Sequence, residues 1–140
     1  VTVSVTVDTS VLVAGASAEH PFFEIADGAL TRFHEGAGRL VAHAVSETYA
    51  VLSGGMNVPS NIAMGYIGQF TNRVVAGVQP ELLPEVIGEL AASGLKGGAI
   101  YDGLIAVGAR DADLRLLSVD LRAESTYERV GVDFELLLDA

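Results

Sequence analysis

The sequence predicts an α/β protein, a three-layer α/β/α sandwich around a mainly parallel sheet. Two observations predict it. Short β-branched or uniformly apolar runs alternate with segments of helical spacing along the whole chain, the pattern of parallel strands joined by crossover helices. No repeat, low-complexity tract or Pro/Ser-rich linker divides residues 1–140, so one domain with one core is expected.

The elements follow in order. Residues 1–7 alternate apolar and polar without a basic flank, and read as a strand and not a signal peptide. The chain begins at Val1 and not at Met, which reads as a trimmed N-terminus. Residues 21–35 place Phe22, Ile25, Ala26, Ala29, Leu30 and Phe33 at helical spacing, and the apolar segment 39–42 then closes a βαβ unit as a short strand. Gly36-Ala37-Gly38 precedes that strand, so it reads as a turn and not as a dinucleotide fingerprint. Residues 45–52 form a helix stopped by Gly54-Gly55, 61–75 a second helix, and 74–78 a short strand. Pro84 opens a helix to about residue 90, because proline is tolerated in a first turn, and Gly94, Gly97 and Gly98 supply turns. Residues 99–109 are almost uniformly apolar and predict a central buried helix. Residues 114–119 are a strand, 124–130 a short helix with a Ser125 to Glu128 capping box, and 132–138 the last strand.

Composition excludes several classes. Half the residues are apolar, 19% are charged and mean hydropathy is +0.43, values of a folded core and not of a disordered chain. No apolar stretch reaches the roughly 18 residues of a spanning helix, so no membrane crossing is expected. The absence of cysteine excludes disulfides, thiolate zinc sites and cysteine nucleophiles together. Eighteen acidic against eight basic residues give a net charge of −10, which opposes nucleic-acid binding by bulk electrostatics. Arginine accounts for all the basic residues but Lys96, and the guanidinium forks onto phosphate.

Ligand crevices of parallel sheets lie beyond the carboxyl ends of the strands. Asp8 and Asp120 both follow a predicted strand directly. Asp102 shares a helical stripe with Ala99, Ile105, Ala106 and Ala109, and Glu47 shares one with Ala44, Ala50 and Val51, so both project from apolar faces. Burying these four acids together costs several kcal/mol unless a cation sits among them. The few basic residues guarantee no four separate ion pairs, and oxygen-only ligands select a hard ion, Mg²⁺ or Mn²⁺.

At these residues the sequence resembles the PIN-domain ribonucleases, and within them the VapC toxins of type II toxin–antitoxin pairs. The matching segments are Val7-Asp8-Thr9-Ser10-Val11-Leu12, Ser46-Glu47-Thr48-Tyr49, Tyr101-Asp102-Gly103-Leu104-Ile105-Ala106 and Leu116-Leu117-Ser118-Val119-Asp120. The ordered set runs from the first strand to the last. The resemblance implies a Mg²⁺-dependent endoribonuclease, with Mn²⁺ as a substitute, that cuts structured RNA such as tRNA. It also implies a homodimer in the cytoplasm, held inactive by a cognate VapB-like antitoxin. Asp8 and Asp102 correspond to the principal metal ligands, with Glu47 and Asp120 completing the acidic set. Ser10 falls at the small-hydroxyl position, as a ligand-holding or water-holding residue. Ser118 departs from the threonine that many members carry but keeps the hydroxyl.

Each feature also has a plainer reading. Asp8 and Asp120 can be turn formers or helix caps, Asp120 can pair with Arg122, and Glu47 can reach solvent from a helix edge. Asp102 on an apolar stripe is a poor structural carboxylate. His20, His34 and His43 show no ligand spacing and are assigned nothing, Asp111 and Asp113 read as solvated, and Tyr101 reads as core in preference to a base-stacking group. Arg110 and Arg122 are the candidates for positioning an RNA backbone. The competing function is a non-catalytic PIN-fold binding or dimerisation module acting through its apolar surface. A phosphoacceptor domain fits less well, since Asp8-Thr9-Ser10 supplies neither an acidic pair after the first strand nor an Asp-x-Asp motif.

Overall fold

The computed structural model describes residues 3–73 and 75–138. The expectations for Val1, Thr2 and Val74 lie outside the described residues. Strands β1 (Val5–Val7), β2 (Arg115–Ser118) and β3 (Phe134–Leu136) form a wholly parallel sheet in the order β1-β2-β3. Thr6 lies opposite Leu116 and Leu117 opposite Glu135. Successive strand side chains point to opposite faces, yet Val5, Thr6 and Val7 are all buried. Both faces are therefore covered, which is the expected α/β/α layering.

The covering helices are α1 (Thr9–Ala14), α2 (Phe23–Glu35), α3 (Ala42–Ser53), α4 (Ser60–Gly68), α5 (Leu83–Ala92), α6 (Ala99–Asp111) and α7 (Glu124–Val130). Helix α2 packs on β1, and α6 packs on β2 while touching α3, α5 and α7. Every residue of α6 from Gly103 to Ala109 is buried, as its apolar sequence predicts. Among the described residues no helix is long and apolar enough to cross a membrane.

Four local expectations are corrected. Segment 39–42 is not a strand of the sheet: Val41 makes an isolated parallel bridge with Ala76, and α3 already begins at Ala42. The expected strand at 74–78 is reduced, within the described residues, to Ala76 in that bridge. Helix α4 stops at Gly68, short of the predicted 75, because Phe70 reaches the core from the following turn, edge-on to Phe33 and Tyr66. The Ser125 to Glu128 capping box does not form. A 3-10 turn at Leu121–Ala123 runs straight into α7, so Ser125 lies inside the helix and Asp120 caps the turn instead, accepting from Arg122 N. Helix α1 is an element the sequence did not announce, since six residues are too short for a period to show.

Candidate active site

Parallel pairing of β1 with β2 brings their carboxyl ends to one edge, and with them Asp8 and Asp120. The backbone N–H of Asp8 still bonds Leu117 O at 3.1 Å, so the aspartate is anchored where the strand ends. Its side chain also caps α1, accepting from Val11 N at 3.3 Å. Asp8 therefore caps α1 and at the same time lines the cleft at the strand edge. Asp102 arrives from the first turn of α6 and Glu47 from the middle of α3, and all four acids line one open cleft of about 660 Å³.

Asp8 is 3% exposed and is held by hydroxyls on both oxygens. Ser10 Oγ donates to Oδ1 at 2.5 Å and Tyr127 Oη donates to Oδ2 at 2.6 Å. Ser10 Oγ in turn accepts from Val119 N at 3.0 Å, and Ser118 Oγ accepts from Asp120 N at 3.0 Å. The two predicted serines thus pin the chain between β2 and the cleft rim, which sets where Asp120 stands. Thr9 Oγ1 donates to Glu47 Oε1 at 2.5 Å, fixing the acid of α3 to α1.

The electrostatics record how closely these acids gather. Burial raises the Asp8 carboxyl above its usual range, against the lowering effect of its hydrogen bonds. Burial first, and then the charges of Asp8, Glu47 and Asp120, push Asp102 up to about 7, with Arg122 acting weakly the other way. Tyr127 is held in its protonated form by burial and by the Asp8 charge. Among the described residues no three acidic or histidine side chains are grouped closely enough to hold a metal ion.

The expected arginines separate. Arg122 lines the cleft, bonded to Asp120 at 3.2 Å with its side chain 91% exposed. Arg110 does not: eight residues beyond Asp102 and about 12 Å further along the helix axis, it bonds Asp111 and the carbonyl of Val130. Tyr101 is not core but is 49% exposed at the cleft, and His20 and Phe22 line the same cleft. Tyr127 was missed altogether, since nothing in its sequence spacing separates a phenol aimed at Asp8 from an ordinary buried aromatic.

A parallel sheet whose carboxyl edge gathers carboxylates, where other α/β sandwiches place a glycine-rich phosphate loop, is PIN-like in its architecture. Comparison with known proteins carries this to a family. The chain is 38% identical over 134 residues to Ribonuclease VapC40 of Mycobacterium tuberculosis strains H37Rv and CDC 1551, covering 93% of this chain and 96% of that relative. It is 33% identical over 101 residues to Ribonuclease VapC27 of strain H37Rv, covering 66% of this chain and 69% of that relative. No protein-family model matches the chain. The identity to VapC40 over nearly its whole length places this protein in the VapC family of PIN-domain ribonuclease toxins.

Proposed function

We propose that this chain is a Mg²⁺-dependent endoribonuclease toxin that cleaves structured RNA, such as tRNA, by attack of an activated water on a phosphodiester. It works in the cytoplasm as a homodimer and is restrained by a cognate VapB-like antitoxin. Kinship with proteins named as VapC ribonucleases supports the toxin role and the antitoxin. The observation that carries the chemistry is the convergence of Asp8, Glu47, Asp102 and Asp120 on one cleft, close enough for their charges to raise Asp102.

The donor set fits a small hard cation. Mg²⁺ keeps several waters and takes one or two protein carboxylates, so an open acidic cleft suits it better than a closed cage. Asp8 accepts three hydrogen bonds on a group with about four lone-pair directions, which leaves it capacity for a cation. Asp8 and Asp102 would hold the ion, with Glu47 and Asp120 at its periphery. When bound, Mg²⁺ lowers the pKa of a coordinated water and offsets charge on the phosphodiester. Thr9 holds one oxygen of Glu47, so the other is the one available to orient a water. Arg122, beside Asp120 at the rim, is placed to meet a phosphate oxygen.

The test uses purified wild type, Asp8→Asn and Asp102→Asn with total tRNA, in Mg²⁺ and in EDTA. Cleavage by wild type in Mg²⁺ alone, lost in both folded variants, is expected. Mn²⁺ should also raise the wild-type melting temperature, by the equivalent of about 2.7 kcal/mol at 100 times the dissociation constant, and not that of Asp102→Asn. Undiminished cleavage by both variants would remove the ligand roles. Absence of both cleavage and a metal-dependent shift would favour the non-catalytic binding module.

A further inference from the structure

We propose that Tyr101, backed by His43, is a stacking platform for an unpaired nucleobase beside the scissile phosphate; this rests on the ribonuclease reading above. The Tyr101 and His43 rings are stacked, with centroids 4.9 Å apart and planes 13° from parallel. His43 lies on α3 one turn before Glu47, and Tyr101 lies on α6 next to Asp102, so the stack joins the two helices that carry these acids. One face of the phenol is covered by the imidazole, yet Tyr101 remains 49% exposed and lines the cleft. Core packing does not require an exposed ring there.

A second aromatic pair borders the same cleft. Phe22 N donates to His20 Nδ1 at 3.1 Å, and the two rings lie 5.8 Å apart. Aromatic walls thus stand around an acidic floor. That arrangement answers a problem set by the charge, since a chain of net charge −10 with Arg122 as the cleft's described guanidinium gains little from phosphate attraction. A π-face binds a base without needing positive charge, and does so for every base. Bases inside a duplex have both faces covered by their neighbours, so the platform selects loops and single strands.

The probe is an eight-nucleotide single-stranded RNA with a central 2-aminopurine, mixed with excess protein in Mg²⁺ and followed by stopped-flow fluorescence, with anisotropy reporting binding. Wild type and Tyr101→Phe should quench the base on binding. Tyr101→Ala should lose the quench and weaken binding by about tenfold to a hundredfold. His43→Ala, which keeps the phenol but removes its backing, should fall between them. Tyr101→Ala should keep the wild-type Mn²⁺ melting shift, which shows an intact fold and acidic site. Binding without quench, equal quench by Tyr101→Ala, or no binding by wild type would each overturn the platform. Cleavage separates the two readings. Unchanged kcat and KM in Tyr101→Ala sink the platform and leave the ribonuclease, whereas quenching by a wild type that cleaves nothing sinks the ribonuclease and leaves the platform.

Discussion

Asp102 binds its proton more tightly in the folded chain than in the unfolded one, because burial and the neighbouring acids raise it from 3.8 to about 7. Folding therefore takes up a proton between about pH 4 and pH 7, and the native state loses stability as pH rises through that window, then levels off above it. Asp8, raised by burial, acts with the same sign. In chelator, Asp102→Asn should melt several degrees above wild type at pH 8, and the gap should close toward pH 5, where wild type already carries the proton. Differential scanning calorimetry at the two pH values checks this; a gap independent of pH would contradict it. Tyr127 supports Asp8 from the core, and Tyr127→Phe removes a donor to a buried carboxylate, so urea denaturation near pH 8 should show a loss of about 1–3 kcal/mol. The four acids were legible because a carboxylate on an apolar stripe or just past a strand breaks a pattern. Tyr127 broke none, and Tyr101 was misread because its helix is apolar almost throughout.

Helix α6 crosses the Val41–Ala76 bridge at Gly108, where an added Cβ would stand 2.6 Å from Val41 Cγ1 and 3.3 Å from the Gly77 backbone. Val41 is 1% exposed and stiff at its branch point, so it cannot swing away. Gly108→Ala should cost about 1–3 kcal/mol despite the better helix propensity of alanine. Gly88, mid-way along α5, has open space where the Cβ would go, and Gly88→Ala should stabilise by about 0.5–1 kcal/mol. Shifts of opposite sign in a pair of urea titrations distinguish close approach from propensity; similar signs would refute the packing argument. The same contrast explains which elements the sequence disclosed. Helix α2 buries one repeating face, while α6, β1 and β2 are largely apolar runs buried on more than one side, and a period or an apolar run is what a sequence displays. The Val41–Ala76 bridge is a single tertiary contact, α1 is a turn and a half held by one cap, and Phe70 reaches the core from outside the helix whose rhythm it continues. None of these leaves a period to read.

Cations are scarce, and among the described residues five of the eight are engaged. Arg32, Arg110, Arg115 and Arg122 each pair with a carboxylate, to Glu135, Asp111, Asp133 and Asp120, and Arg73 donates to the Gly38 carbonyl. A surface of this kind releases few counterions when it meets RNA, and each phosphate neutralised on a single strand contributes a slope of only about −0.7 to log K against log salt. Binding of the octanucleotide at fixed Mg²⁺ should therefore respond shallowly to NaCl, with a slope no steeper than about −2, and should collapse in EDTA, when the acidic floor has no counter-charge. Anisotropy titrations over a range of NaCl measure both. A slope much steeper than that would mean that several cations reach the RNA at once, more than this cleft supplies, and would move the source of affinity to a surface completed by a second copy of the chain. A shallow slope that survives Tyr101→Ala with weaker binding would instead assign the affinity to the divalent ion and the aromatic wall together, which is how an acidic protein can hold a polyanion without a basic patch.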